Sequence, residues 1–97
     1  MNRAERELAD LESVFAALAH ASRRHILLVL HHRGGSMTAG DIADRFACSW
    51  PTTTRHLRQL EEAGLVTVRA EGRQRRYELN REHLQSVAGG WLDHFAA

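Results

Sequence analysis

Hydroxyl, amide and guanidinium side chains crowd one stretch of this 97-residue sequence in a mixture suited to gripping nucleic acid. Between Ser49 and Ala63, Trp50, Thr52, Thr54, Arg55, Arg58 and Gln59 fall on what a helical repeat makes an outward face. Guanidinium forks bond phosphate or the edge of guanine, and amides and hydroxyls bond base edges or phosphates, so the expected ligand is double-stranded DNA. Arg55 is the leading base contact. A second run, Arg69, Arg73, Gln74 and Arg75, suits phosphate or minor-groove contact, which carries less sequence information. Arg76, beside Tyr77, is expected to point inward instead.

The charges support that placement although the whole chain carries only +1. From Ser49 to Arg76 six arginines oppose three glutamates, whereas the first twelve residues set two arginines against four acids. All thirteen basic residues are arginine, the side chain favoured for bidentate phosphate and guanine contacts. Enzyme chemistry fits poorly. The sequence has no Gly-rich phosphate loop, no HExxH and no nucleophile-base pair, and Asp41, Asp44 and the histidines are scattered without triad or ligand spacing. No enzyme and no cofactor is expected.

These side chains need elements to hold them. Leu8, Leu11, Val14, Phe15 and Leu18 recur at helical spacing and predict a first helix from about Ala4 to Ala19. Ser22 is a candidate cap for a second helix carrying Ile26, Leu27, Val29 and Leu30, stopped at Arg33 by Gly34-Gly35. Thr38 precedes a short third helix over Ala39 to Phe46, and Ala47-Cys48 forms the turn. Ser49 followed by Trp50-Pro51 is a strong start for a fourth helix, which turns Thr53, Leu57 and Leu60 inward and stops at Ala63-Gly64. Alternation then predicts two antiparallel strands, with Val66, Val68 and Ala70 on one face of the first, Glu71-Gly72-Arg73 at the turn, and Tyr77 and Leu79 on the second. Asn80 caps a last helix near 81–96, with Leu84, Val87, Ala88, Trp91, Leu92 and Phe95 as its apolar stripe. Gly89-Gly90 weakens that helix, which either bends there or admits a close partner.

Four helices, a small β-hairpin and a closing helix give a mainly α winged helix-turn-helix fold over residues 1–97 as one domain. Its fourth helix would enter the major groove. A chain this small has little core to receive both terminal apolar stripes, so Leu8, Leu11, Phe15, Leu84, Val87, Trp91, Leu92 and Phe95 are expected to form a homodimer interface. A two-fold dimer sets its reading helices roughly 34 Å apart, which predicts an inverted-repeat operator. The longest aliphatic run, Ile26 to Leu30, is far short of the roughly 20 residues of a membrane span, and acids occupy the N-terminus where a signal peptide is apolar. No membrane partner and a cytoplasmic location follow as expectations. A single cysteine, Cys48, excludes an internal disulfide and fits a reducing compartment; its turn position predicts a buried structural thiol. His56, between Thr53 and Leu60, is expected to be a hydrogen-bonded packing residue, and His31-His32 to be favourable charges at a helix C-terminus. Trp50 has two readings, a wedge against thymine methyls or a ring packed on its own domain.

Leu18-Ala19-His20-Ala21-Ser22-Arg23-Arg24-His25-Ile26-Leu27, Ser49-Trp50-Pro51-Thr52-Thr53-Thr54-Arg55-His56-Leu57, Leu60-Glu61-Glu62-Ala63-Gly64-Leu65-Val66 and the wing Glu71-Gly72-Arg73-Gln74-Arg75-Arg76-Tyr77-Glu78-Leu79 together resemble the arsenic-repressor (ArsR) family of bacterial regulators. The resemblance covers nearly the whole chain. It implies a homodimer built on the first and last helices that binds a two-fold symmetric operator and represses transcription until an effector releases it. The family often has Gln where Trp50 stands and a small apolar residue where Thr53 stands, departures that bear on base preference and not on fold. Metal sensors of the family use a Cys-x-Cys pair, which falls here on Thr38 and Gly40, or an Asp-x-His-x10-His-x2-His/Glu set, of which only His83 and His94 are present, Arg81 and Ala97 taking the flanking places. No metal site is therefore expected. A metal-responsive repressor using His83 and His94, and a winged-helix association module without DNA binding, are the alternatives; the residues name no effector.

Overall fold

The computed structural model describes residues 1–46 and 49–97, so the turn holding Cys48 lies outside the described residues. Helices α1 (Arg3–Leu18) and α2 (Ala21–His32) are followed by strand β1 (Ser36–Thr38), helices α3 (Ala39–Arg45) and α4 (Trp50–Glu62), and strands β2 (Val66–Glu71) and β3 (Gln74–Leu79). A last helix, α5, spans 81–93. The architecture is mainly helical with a small antiparallel sheet, and α3, α4 and the β2–β3 wing stand in winged helix-turn-helix order. No described helix is long and apolar enough to cross a membrane.

Capping residues set most of these boundaries. Thr38, Ser49 and Asn80 each have a side-chain oxygen accepting a backbone N–H of the helix that follows, at 3.2, 3.3 and 3.1 Å. Ser22 does not cap α2. That place belongs to His20, whose extended backbone precedes the helix and whose Nδ1 accepts the Ser22 N–H at 3.1 Å, an imidazole doing what an Asn or Asp oxygen usually does. Helices α2 and α4 both close in Schellman turns: Gly35 donates to the Leu30 carbonyl at 2.7 Å, and Leu65 to the Leu60 carbonyl at 2.9 Å.

The sheet has three strands in the order β1-β3-β2, not the two expected. Met37 pairs with Tyr77, which pairs on its other side with Val68, so β3 is central and Tyr77 is buried. Three residues that follow a glycine pair and end on a helix cap carry no alternation to read; β3 supplies the hydrogen bonds that make them a strand. Ala70 is exposed, because the wing extends past the core beyond Val68. In α5, α-helical Arg81–Leu84 and Gly90–Asp93 flank a π-helical turn at Gln85–Gly89 in place of a simple bend, and the regular helix ends at Asp93, short of residue 96.

One core joins these parts. Val14 and Ala17 of α1, Ile26, Leu27 and Leu30 of α2, Met37, Ile42, Leu57, Leu60, Ala63, Leu65, Val66 and Tyr77 form a single buried cluster. Helix α4 contributes Thr53, His56, Leu57 and Leu60 as its buried face. The Thr53 hydroxyl is buried with no hydrogen-bond partner among the described residues.

Gly64 is the turn most sensitive to substitution: its φ is +76°, and an added Cβ would stand 3.1 Å from the His83 ring. Gly64→Ala is expected to cost at least about 1–2 kcal/mol from the left-handed backbone alone, plus the displacement of His83. Thermal unfolding of the variant measures it, and an unchanged midpoint contradicts this turn geometry.

Candidate nucleic-acid interface

Commitment of one α4 face to the core dictates what the other face presents. With positions 53, 56, 57 and 60 turned inward, Trp50, Thr54 and Arg58 recur every fourth residue on the outside, with Arg55 beside them. Trp50, Pro51, Thr54, Arg55 and Arg58 line one shallow groove. Trp50 also borders a second groove, of about 480 Å³, whose remaining walls are Ala39 and Gly40 of α3 and Arg73, Gln74 and Arg75 of the wing. The indole, 55% exposed, thus forms a partition between the α4 ridge and the wing tip rather than packing into the domain.

Electrostatics sharpen the arrangement. Arg55, Arg58, Arg73 and Arg75 are exposed, and the ion pairs among the described residues are elsewhere, at Arg3–Glu7 and Arg76–Glu71. Arg76 is half-buried and tied down along the sheet face opposite Tyr77 rather than turned into the core: its Nε donates to Glu71 at 2.8 Å and a terminal nitrogen to the Ser36 hydroxyl at 3.1 Å. That tie offsets the repulsion of Arg69, its direct cross-strand neighbour. The wing turn is two residues long, with Gly72 first at φ +60°, the form a type II′ hairpin requires, and it carries Arg73 at the tip. Gln59 and Arg69 are exposed but border neither groove, and Thr52 is half-buried, its hydroxyl receiving a bond from Ser49 at 3.0 Å.

Behind this face, His56 is buried at 7% exposure and contacts Arg23 and His20. Burial, then the charges of His20, Arg23 and Arg55, push its pKa below the ordinary histidine value. His31 and His32 occupy the last turn of α2, and His31 also meets the guanidinium of Arg81.

Comparison with known proteins agrees with this geometry. A helix-turn-helix domain model matches residues 18–69. The transcriptional repressor SdpR of Bacillus subtilis is 38% identical over 88% of this chain and 91% of its own. An arsenical resistance operon repressor of Staphylococcus xylosus is 33% identical over 80% of this chain and 73% of its own. A crystal structure of an ArsR family transcriptional regulator superposes with a TM-score of 0.79 at 29% identity, covering 89% of this chain and 86% of the other. The chain belongs to the ArsR family of winged helix-turn-helix regulators. A homodimeric winged helix-turn-helix DNA-binding domain from Mycobacterium bovis, 25% identical, superposes with a TM-score of 0.76 over 97% of this chain and 86% of that one. The ArsR family is one of transcriptional regulators, which is not an enzyme class.

Within this ArsR-family chain, the residues at the sensor positions have other work. Thr38 caps α3, and Gly40 lies against Gln74 of the wing. His83 and His94 line one cavity of about 530 Å³ between α1 and α5, with Glu7, Asp10 and Trp91, yet no three His, Cys, Asp or Glu side chains converge to hold a metal among the described residues. The Nδ1 of His94 bonds the Gly90 carbonyl at 3.0 Å. Pro51, Ala39 and Gly40 were not legible as groove residues, since they carry no charge and only the packing of α3 against β3 brings the latter two to the wing.

Arg75 and Arg76 should separate stability from charge display. Arg76→Ala is expected to lower stability by about 1 kcal/mol by leaving Glu71 and Ser36 without their donor, whereas Arg75→Ala should stay within about 0.5 kcal/mol of the parent. Chemical denaturation of both variants checks the contrast.

Proposed function

We propose that this chain represses transcription as a homodimer bound to an inverted-repeat operator, with α4 in the major groove and the wing on the adjacent backbone. The observation that carries this reading is the rotation of α4, whose buried face leaves Arg55, Arg58 and Thr54 outward while the wing sets Arg73, Gln74 and Arg75 across the groove from Trp50. Arg55 and Arg58 are assigned to base edges and neighbouring phosphates, with Gln59, Thr52 and Thr54 supporting, and Arg69, Arg73, Gln74 and Arg75 to the backbone. An operator on the chromosome places the protein's work in the cytoplasm.

Exposed apolar side chains on α1, on α5 and in the turn just past α5 support the dimer. Leu8, Leu92 and Phe95 are 60%, 59% and 71% exposed, and Trp91, although it meets Phe15 edge-on at 5.3 Å between ring centroids, keeps 41% of its surface exposed. Leu11 and Phe15 are half-buried, and Leu84 and Val87 pack partly on the chain's own core, so the outer part of the stripe supplies the pairing surface. A homodimeric relative of the same fold fits that assignment.

Footprinting of the DNA around its own gene tests the reading directly, and a protected site without two-fold symmetry counts against it. Arg55→Ala should cost about 1–3 kcal/mol of operator affinity and relax base preference at one position in each half-site, while Arg73→Ala should weaken all duplexes alike and reduce the salt slope by about 1. Leu92→Glu with Phe95→Glu should yield monomers in sedimentation and lose cooperative occupancy of the two half-sites. A parent protein that is itself monomeric at working concentrations overturns the dimer.

A further inference from the structure

Arg23 joins three helices. Its Nε donates to the Ala17 carbonyl at 2.7 Å and a terminal nitrogen donates to the Ala16 carbonyl at 3.1 Å, satisfying groups at the open C-terminal end of α1. The other terminal nitrogen faces Nδ1 of His56, on the buried side of α4, at 3.4 Å. A guanidinium only donates, so His56 Nδ1 must accept and the ring must be neutral, with its proton on Nε2. The ring of His20 lies 4.5 Å from that of His56, centroid to centroid, and its own Nδ1 accepts the Ser22 N–H that starts α2. Both imidazoles are therefore held as acceptors by donors that cannot reverse roles.

We propose that Arg23, His20 and His56 form a proton-sensitive latch that positions the reading helix on α1 and α2, so that mild acid lowers the protein's preference for its operator over other DNA. A proton on His56 Nδ1 sets an N–H against the guanidinium and adds a positive charge to a buried corner. The charges acting on His56 are His20 at the head of α2, Arg23 within α2 and Arg55 on its own helix; no carboxylate from α1, α3 or β2 is among them. The sign follows: with the folded-state pKa lowered, the stabilisation is complete above the ordinary value of 6.5 and is lost as pH falls through the depressed one. His56 adjoins Arg55, so a shift at the latch moves the face that carries the leading base contact. Arg23 also ties that face to α1, the helix whose outer apolar side is left for a second copy.

This inference rests on α4 being the helix that meets DNA, and the experiment separates the two. The probes are a duplex selected by the full-length protein from a random-sequence pool at about pH 7.5 and a scrambled duplex of equal length, compared by fluorescence anisotropy down to about pH 5.5. Added protons also strengthen nonspecific attraction, so the ratio of the two affinities is read rather than either alone. The ratio should fall at least about tenfold, with a midpoint that tracks the His56 ring resonance by NMR. His56→Gln, whose amide oxygen still accepts from Arg23 but does not titrate, should hold its ratio across the range. His20→Asn keeps a capping acceptor and deletes the neighbouring imidazole, and should move the His56 midpoint to higher pH. A parent protein that is sequence-specific but flat with pH overturns the latch alone, as does an undiminished fall in folded His56→Gln. A protein without sequence preference at any pH overturns the DNA reading and the latch with it. If His56→Gln does not fold, the parent profile and His20→Asn decide.

Discussion

The burial of one face of α4 is the interaction from which the rest of the molecule takes its geometry. Leu57 and Leu60 enter a cluster with Val14, Ile26, Leu30, Leu65 and Val66, with Thr53 and His56 buried on the same helix face, and truncating one such leucine costs about 2–5 kcal/mol. Rotating the helix by one residue, about 100°, would withdraw those side chains and bury arginines instead. The outward display of Trp50, Thr54, Arg55 and Arg58 is thus enforced by contacts that none of these four residues makes. A basic face held this way needs no stabilising interactions of its own, and the ion pairs among the described residues lie elsewhere, at Arg3–Glu7 and Arg76–Glu71.

The same shortage of interior divides the end helices. In α1, Val14 and Ala17 are buried while Leu8 is exposed; in α5, Leu84 and Val87 lean on the core while Leu92, and Phe95 just past the helix end, do not. Trp91 stands at the boundary, touching Phe15 on one side and Phe95, 4.9 Å away between centroids, on the other. The aromatic contact therefore runs continuously from the folded chain to its unpaired surface. The proposed association through this surface would extend a core already started, which costs less ordering than building one from mobile side chains.

What could be read from the sequence and what could not divide along range. Ser49, Thr38 and Asn80 cap, and Gly34-Gly35 and Gly64 stop, through bonds within a few residues, so their types announce them. The inward and outward faces of α4 follow from its period alone. By contrast, β1 exists because β3 is available beside it, and Arg76 reaches Ser36 forty residues away. Arg23 meets His56 across thirty-three residues, and no local pattern distinguishes it from the exposed Arg24 next to it. The π-helical turn in α5 was visible only as weakness at Gly89-Gly90, because periodicity does not say how a helix absorbs a misfit.

His20 shows how the choice of a cap can change what a corner does. An aspartate at that position would accept the same N–H, remain ionised well below neutral pH, and face the His56 ring as an anion, favouring its protonated form. The corner would then hold as an ion pair across the physiological range. An imidazole brings no such anion, and it sets its ring 4.5 Å from that of His56, with Arg23 and Arg55 as the other groups that disfavour a charge there. Local helix capping, a structural duty, is thereby coupled to the protonation of the residue next to Arg55. The coupling needs no ligand pocket or metal, since the two states differ by one proton on His56, a side chain already buried in the fold.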